Sequence, residues 1–491
     1  MNGPISGGTA TGCPGLDVGE ARRVAAAINE AAGKHPVFRQ NRRPLQPGQN
    51  TSWRISPEPF CLPSETVLAL RALGPVLLAF MKASQKLYQD SVHGRAPAWV
   101  AEWLDMGKPA HLVSFSRMNR FKQQLPAVIR PDLIITDEGR LLCCELDSLP
   151  GGIGFVDSMA RTYHALGHDL IGGATGMAEG FARMIRSQTE VTDPFLAIVI
   201  SQESADYWEE MAWLGQRLED LGLRTAVLRP ESLSFTEEGL FHEGRRIDVV
   251  YRFFELFDLA NIPKAEVIQY LVKKQKVAIT PPFKPQLEEK GLFALLHHPG
   301  LKAWWQTHLG EAHLARLTDL LPRTWLLDPS PMPPQGVIPG LSIGGRPVGH
   351  FRELTGTSKR ERTFVVKPSG FSPLAWGSRG VAFGHDLPQT EWESALERAM
   401  AQWQHGTPHL LQEYHKPRKV QVRYYDAAAD EIRPMTGRAR ICPFYFVAGD
   451  QVTLGGILTT ICPADKLAIH GMVDAVMVPA RTEIQLATEP A

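Results

Sequence analysis

The sequence has little of what marks a membrane, nucleic-acid-binding or disulfide-built protein. Over 491 residues Lys+Arg and Asp+Glu are equal at 52 each, so formal charge is zero. Nothing in that balance asks for nucleic acid or an anionic membrane as partner. The longest apolar run, 67–81, is interrupted by Arg71 and falls short of the roughly 20 residues that cross a bilayer. The N-terminus carries neither a basic region nor an apolar one and does not read as a signal peptide. Six cysteines without a CxxC pair argue against a disulfide framework and fit a reduced, cytoplasmic setting. Adjacent Cys143 and Cys144 would point to opposite faces of a strand, which argues against zinc there. No Gly-x-Ser-x-Gly elbow occurs between a strand and a helix, no internal repeat is visible, and His297-His298 on a helix cannot present both rings to one metal.

What is present is a globular chain of several parts. The apolar (44%) and charged (21%) fractions are ordinary for soluble proteins, and the length implies about two to four domains. Residues 1–15 read as a loose tail. Apolar spacing predicts helices over 18–32 and 64–89, within an N-terminal region 16–193 that also holds a hairpin with strands at 132–136 and 140–146. Region 194–280 alternates strand (195–201), helix (205–221), strand (224–228) and strand (247–253). That order predicts a parallel sheet with right-handed crossovers, a small substrate-side domain. Region 281–491 holds helices at 292–298 and 390–404, a strand at 410–414 and a final run of strands reaching Val478. Within it, 364–405 reads as a lid.

The most chemical stretch runs from Thr363 to Gly380. A β-branched and aromatic run delivers Lys367 at a strand end, then a glycine-rich turn follows with Gly370, Gly377, Ser378, Arg379 and Gly380. A lysine point charge, glycines that let backbone N–H groups approach oxygens, and a forked arginine together suit a nucleotide phosphate. The lysine precedes the glycines, so this is not a Walker loop. The same letters also describe an ordinary strand and a surface loop.

Glu145-Leu-Asp147 is the second feature. Residues two apart on a strand share a face, so two hard carboxylate donors would converge where Mg²⁺ could sit beside a polyphosphate; a solvated strand end is the plainer alternative. Leu410-Leu-Gln412-Glu413-Tyr414 resembles an adenine hinge or, equally, a buried strand with a polar end. Arg438 and Arg440 share another strand face, suited to a phosphate or a tetrahedral intermediate, or simply solvated.

The order of these pieces resembles the permuted ATP-grasp ligases, namely the eukaryotic-type glutathione synthetases and the synthetase domain of glutathionylspermidine synthetase. It is carried by Ile129-Arg130-Pro131-Asp132, Glu145-x-Asp147, Tyr251-Arg252, Lys290, Lys367 with its glycines, Glu413, Arg438/Arg440 and Gly455-Gly456, across 115–480. The resemblance implies a mixed α/β, circularly permuted ATP-grasp fold with an inserted parallel α/β domain, and a cytoplasmic enzyme expected to form a homodimer. It implies an ADP-forming carbon–nitrogen ligase using ATP and Mg²⁺, with small-molecule carboxylate and amine substrates. Glu145 and Asp147 would bind the metal, Lys290 and Lys367 the phosphates, and the 370–380 loop would cover them. Gln412 to Tyr414, with Arg438 nearby, would hold the nucleotide. Arg252 would face the acceptor carboxylate, Arg440 the transferring phosphoryl, Arg130 and Ser148 the substrate, and Gly455-Gly456 would open a loop over the second substrate. The chain departs from the family in having Asp147 where Asn is usual, no carboxylate between Lys367 and Trp376, and a longer glycine-rich loop. A phosphotransferase or a non-catalytic nucleotide-binding protein could use the same residues.

Overall fold

Val128–Ile135 and Leu141–Asp147 pair antiparallel as the expected hairpin. In the computed structural model, which describes residues 15–37, 45, 48–378, 380–466, 468–470 and 474–483 and only the backbone of 376–378, this hairpin is the edge of a seven-stranded sheet. The sheet runs Phe60–Leu62, Val476–Thr482, Gln451–Pro463, Glu431–Ala448, Val128–Ile135, Leu141–Asp147, with Lys419–Asp426 paired to the first half of Glu431–Ala448. Alternation along Glu431–Ala448 places helices on both faces. The Tyr445 hydroxyl donates to Leu70 O at 2.6 Å in the helix Ser64–Val92, while Phe446 meets Phe181 of the helix Gly176–Arg186 edge-on at 6.0 Å.

The helix Ser64–Val92 matches the expected 64–89 and runs three residues further. Its most apolar window averages a hydropathy of 1.6, so by length and composition it could cross a bilayer, which the interrupted apolar run 67–81 alone did not suggest. Here 56% of that window is buried inside the fold, against the sheet and the helix Lys302–Leu320. A core helix covered by a sheet and another helix needs the same apolar surface as a membrane span.

Gly455 and Gly456 open no loop. They lie within the strand Gln451–Pro463, where the register slips by one residue: Phe444 faces Gly456 and Tyr445 faces Leu454. A Cβ on Gly455 would meet the Phe446 ring at 2.4 Å, and one on Gly172 would meet Gly455 O at 2.0 Å. The glycines let the start of the helix Gly176–Arg186 lie against the sheet backbone, a packing use of a bulge.

The α/β alternation forms a parallel sheet in the order Ala278–Thr280, Val249–Phe253, Leu196–Ile200, Thr225–Leu228. Its two faces enter different cores. Val249, Tyr251 and Phe253 join the main cluster, while Val250 and Ile279 join a second under the helix Ala265–Lys273. A further antiparallel sheet, Thr324–Leu326, His409–Glu413, Phe364–Pro368, Ala382–Phe383, has its own small core under the helix Gln389–Trp403.

Cysteine usage also differs from expectation. Among the described residues Cys143, Cys144, Cys442 and Cys462 are free, but Cys61 is disulfide-bonded. A single bridge is invisible to the spacing arguments that exclude a framework.

Candidate active site between two sheets

Period-two alternation positions Lys367. Phe364 and Val366 enter the small core, so Val365 and Lys367 point the other way, as do their cross-strand partners Gln412 and Leu410. That face looks onto the hairpin strand Leu141–Asp147. Lys367 Nζ donates to Gln412 Oε1 at 2.7 Å and crosses to Cys144 O at 3.0 Å. The resulting cleft is lined by Cys144, Glu145, Glu289, Lys290, Lys367 and Gln412, with Leu287, Leu292, Phe293 and Leu410 as its apolar part.

Lys290 arrives from a different segment. Its Nζ pairs with Glu145 Oε1 at 2.9 Å and donates to Ala375 O at 2.9 Å in the glycine-rich loop. Burial pushes the Lys367 ammonium below its usual range and Lys290 adds to that effect, while Cys144 and Glu145 act against it. Burial also opposes the Glu145 charge, but Lys290 and Lys367 hold its carboxyl low. Two lysines lining one cleft, Lys290 paired with Glu145 and Lys367 held by neutral oxygens, suit a polyanion.

Asp147 shares the strand face with Glu145 but has a different partner. Arg130 Nη2 reaches Asp147 Oδ2 at 2.9 Å, its Nε reaches Asp132 Oδ1 at 3.0 Å, and its Nη1 donates to Gly151 O at 3.1 Å. Asp132 also takes Arg440 Nη1 at 2.8 Å. Burial works against the Asp132 charge, yet the two guanidinium groups keep its carboxyl below the ordinary value. Arg130 and Arg440 are thus tied to the hairpin's own carboxylates, and Ser148 is buried just past its end.

Beyond Asp147 further carboxyl groups gather, and burial opposes their ionisation. Burial raises the Glu255 carboxyl to about 8, with Glu288 and Asp147 adding to the effect; Asp147 itself is raised by burial, with Glu145 adding to it. Among the described residues no three His, Cys, Asp or Glu groups are spaced to hold a metal by themselves. Mg²⁺ needs only one or two carboxylates when phosphates and water complete its shell. The two acids on one strand face, beside two lysines, fit such an ion.

Several expected site residues are used otherwise. Arg252 does not face an open acceptor site: it is fully buried, pairs with Glu288, and donates from Nε to Pro281 O at 3.2 Å. The hinge backbone is also spent. His409–Glu413 is flanked by strands on both sides, and Glu413 N donates to Arg323 O and Tyr414 N to Thr363 O, each at 2.9 Å. Gln412 instead presents its side chain, held by Thr324 Oγ1 at 3.2 Å. Arg438 donates to Ala464 O. Gly370 sits where a Cβ would meet Glu288 O at 2.1 Å. Gly377 and Ser378 lie in the short helical turn Pro373–Ser378, Gly380 N closes that turn onto Leu374 O at 2.9 Å, and Arg379 lies outside the described residues.

No protein-family profile matches the chain, and no curated protein matches it by sequence. Solved structures do. A glutathione synthetase-like effector from Globodera pallida, in its apo form, superposes with a TM-score of 0.56 at 12% identity, covering 95% of this chain and 98% of that one. The fold is glutathione synthetase-like. A second protein, provisionally named a gamma-glutamylcysteine synthetase, from Methylobacillus flagellatus, gives a TM-score of 0.38 at 10% identity over 77% of this chain and 85% of that one.

The region also contains Lys108, Glu255, Glu288 and Glu289, to which the sequence assigned no role, and Asp132, which entered only as part of the Ile129–Asp132 motif. The signal for two of them was legible: Glu288-Glu289-Lys290 places three consecutive charges in a stretch that is otherwise apolar and proline-rich.

Proposed function

We propose that the chain is an ATP-dependent carboxylate–amine ligase of the permuted ATP-grasp type, joining an acid to an amine and releasing ADP and phosphate. The observation that carries this reading is the meeting of Lys290 and Lys367, 77 positions apart in sequence, over the strand that presents Glu145 and Asp147. In this reading the lysines hold the nucleotide phosphates. Glu145 and Asp147 would hold Mg²⁺, which when bound supplies charge neutralisation on the phosphoryl oxygens.

The substrate carboxylate would accept the γ-phosphoryl, and the amine would then displace phosphate from the activated acyl carbon. Arg440, anchored on Asp132, stands on the strand beside the hairpin, where it can steady developing oxyanion charge. Little side-chain acid–base chemistry is required. The residues orient the reactants, and a loop rooted at Ser369–Gly370 keeps water from the activated acid.

The test is ADP release measured across panels of amino acids, small peptides and polyamines in the presence of Mg²⁺. A ligase gives product only when acid and amine are both present. ADP release with the acid alone and a stable phosphorylated product would instead identify a phosphotransferase.

A further inference from the structure

Three consecutive side chains, Glu288, Glu289 and Lys290, fan out to three different parts of the fold. Glu288 pairs with Arg252 of the parallel sheet, Lys290 with Glu145 of the large sheet, and Glu289 with Lys108, which lies after the helix Ala98–Asp105. The Lys108–Glu289 pair is sealed from solvent, its side chains 0% and 1% exposed. The second Glu289 oxygen accepts from Ser369 Oγ and from Gly370 N, the latter at 3.1 Å. Gly370 is pressed onto the Glu288 carbonyl so closely that no Cβ fits, and Lys108 Nζ lies 5.5 Å from the Phe371 ring centre.

A sealed ion pair is a poor way to gain stability, because an apolar pair of similar volume commonly does as well or better. What this one does have is a fixed geometry: every oxygen of Glu289 is committed, and two of its three donors belong to the root of the glycine-rich loop. We infer that Lys108 and Glu289 are positioning residues, a clamp that fixes Ser369 and Gly370 so that the loop's backbone faces the cleft. This rests on the ligase reading only for its consequence, nucleotide affinity; the clamp itself is a property of the ligand-free protein.

The double variant Lys108→Met/Glu289→Leu removes both charges at nearly constant volume and so leaves no unpaired buried ion. Hydrogen exchange of amides 369–375 in the ligand-free protein should speed up by at least about tenfold, the scale of lost hydrogen bonds to a charged group. From the wild type to the variant the KM for Mg·ATP should rise by a similar factor, with kcat changing far less. Ser369→Ala, which deletes one donor and keeps both charges of the ion pair, should move both readouts in the same direction by a smaller amount. Unchanged exchange at 369–375 in the folded double variant, or in Ser369→Ala if the double variant does not fold, overturns the clamp. Faster exchange in a protein whose wild type binds no Mg·ATP would keep the clamp and overturn the ligase reading instead.

Discussion

At the scale of single residues, charge is what distinguishes this cleft. Lys367 is held in a dry position by one amide oxygen and one carbonyl, so its ammonium retains capacity for a third, stronger acceptor. Lys367→Ala should lower the rate of ADP formation by about 10²–10³, the usual effect of deleting one preorganised group facing transition-state charge, and Glu145→Ala should shift the Mg²⁺ dependence to higher concentration, because Asp147 and the phosphates remain as ligands. Steady-state ADP release over a Mg²⁺ titration checks both. Glu255 gives a prediction that needs no substrate. Its carboxyl, raised by burial to about 8, keeps a proton in the folded protein that the unfolded chain releases near about 4.3. The folded state therefore binds more protons across that window, and the Glu255 contribution to stability falls as pH rises through it. Glu255→Gln removes the penalty. Urea midpoints should favour the variant increasingly from pH 5 to pH 8 and level off above; a pH-independent difference would contradict the assignment.

At the scale of elements, the legible parts were those whose pattern is local. The strand Phe364–Pro368 and the helix Gln389–Trp403 follow from alternation and 3.6-residue spacing, and both lie within a residue or two of where the sequence places them. Arg252 and the Glu413–Tyr414 backbone were misread because their availability depends on neighbours distant in sequence: Glu288 in one case, flanking strands on both edges in the other. Gly455-Gly456 was misread for a related reason. A glycine pair signals either a mobile loop or close backbone approach, and only the packing of the helix Gly176–Arg186 decides between them. Gly172→Ala tests that packing, since it adds a Cβ against Gly455 O at a residue whose φ is +93°. It should destabilise the protein by about 1–3 kcal/mol, read as a lowered urea midpoint with an unchanged slope.

At the scale of the whole molecule, the cleft exists because three sheets converge on one short segment, the parallel sheet sharing one face with the main core. The large sheet supplies Glu145 and Asp147, the small antiparallel sheet supplies Lys367 and Gln412, and the 288–290 segment joins both to the parallel sheet through Arg252. Composition, charge and motif order placed the acids before the lysines along the chain. They did not reveal the carboxylate and guanidinium network that holds those groups in place, because none of its ion pairs across elements has a sequence signature.

On the ligase reading, the cleft between the strands Leu141–Asp147 and Phe364–Pro368 takes a Mg²⁺-nucleotide. The direct measurement is calorimetric titration of the wild-type chain and of Lys367→Ala with a non-hydrolysable ATP analogue, with and without Mg²⁺. The account predicts one site per chain in the wild type, strengthened by Mg²⁺, and at least about tenfold weaker binding in the variant, the cost of one charge-assisted contact. Equal affinity in the two proteins, or no binding by the wild type, would contradict it.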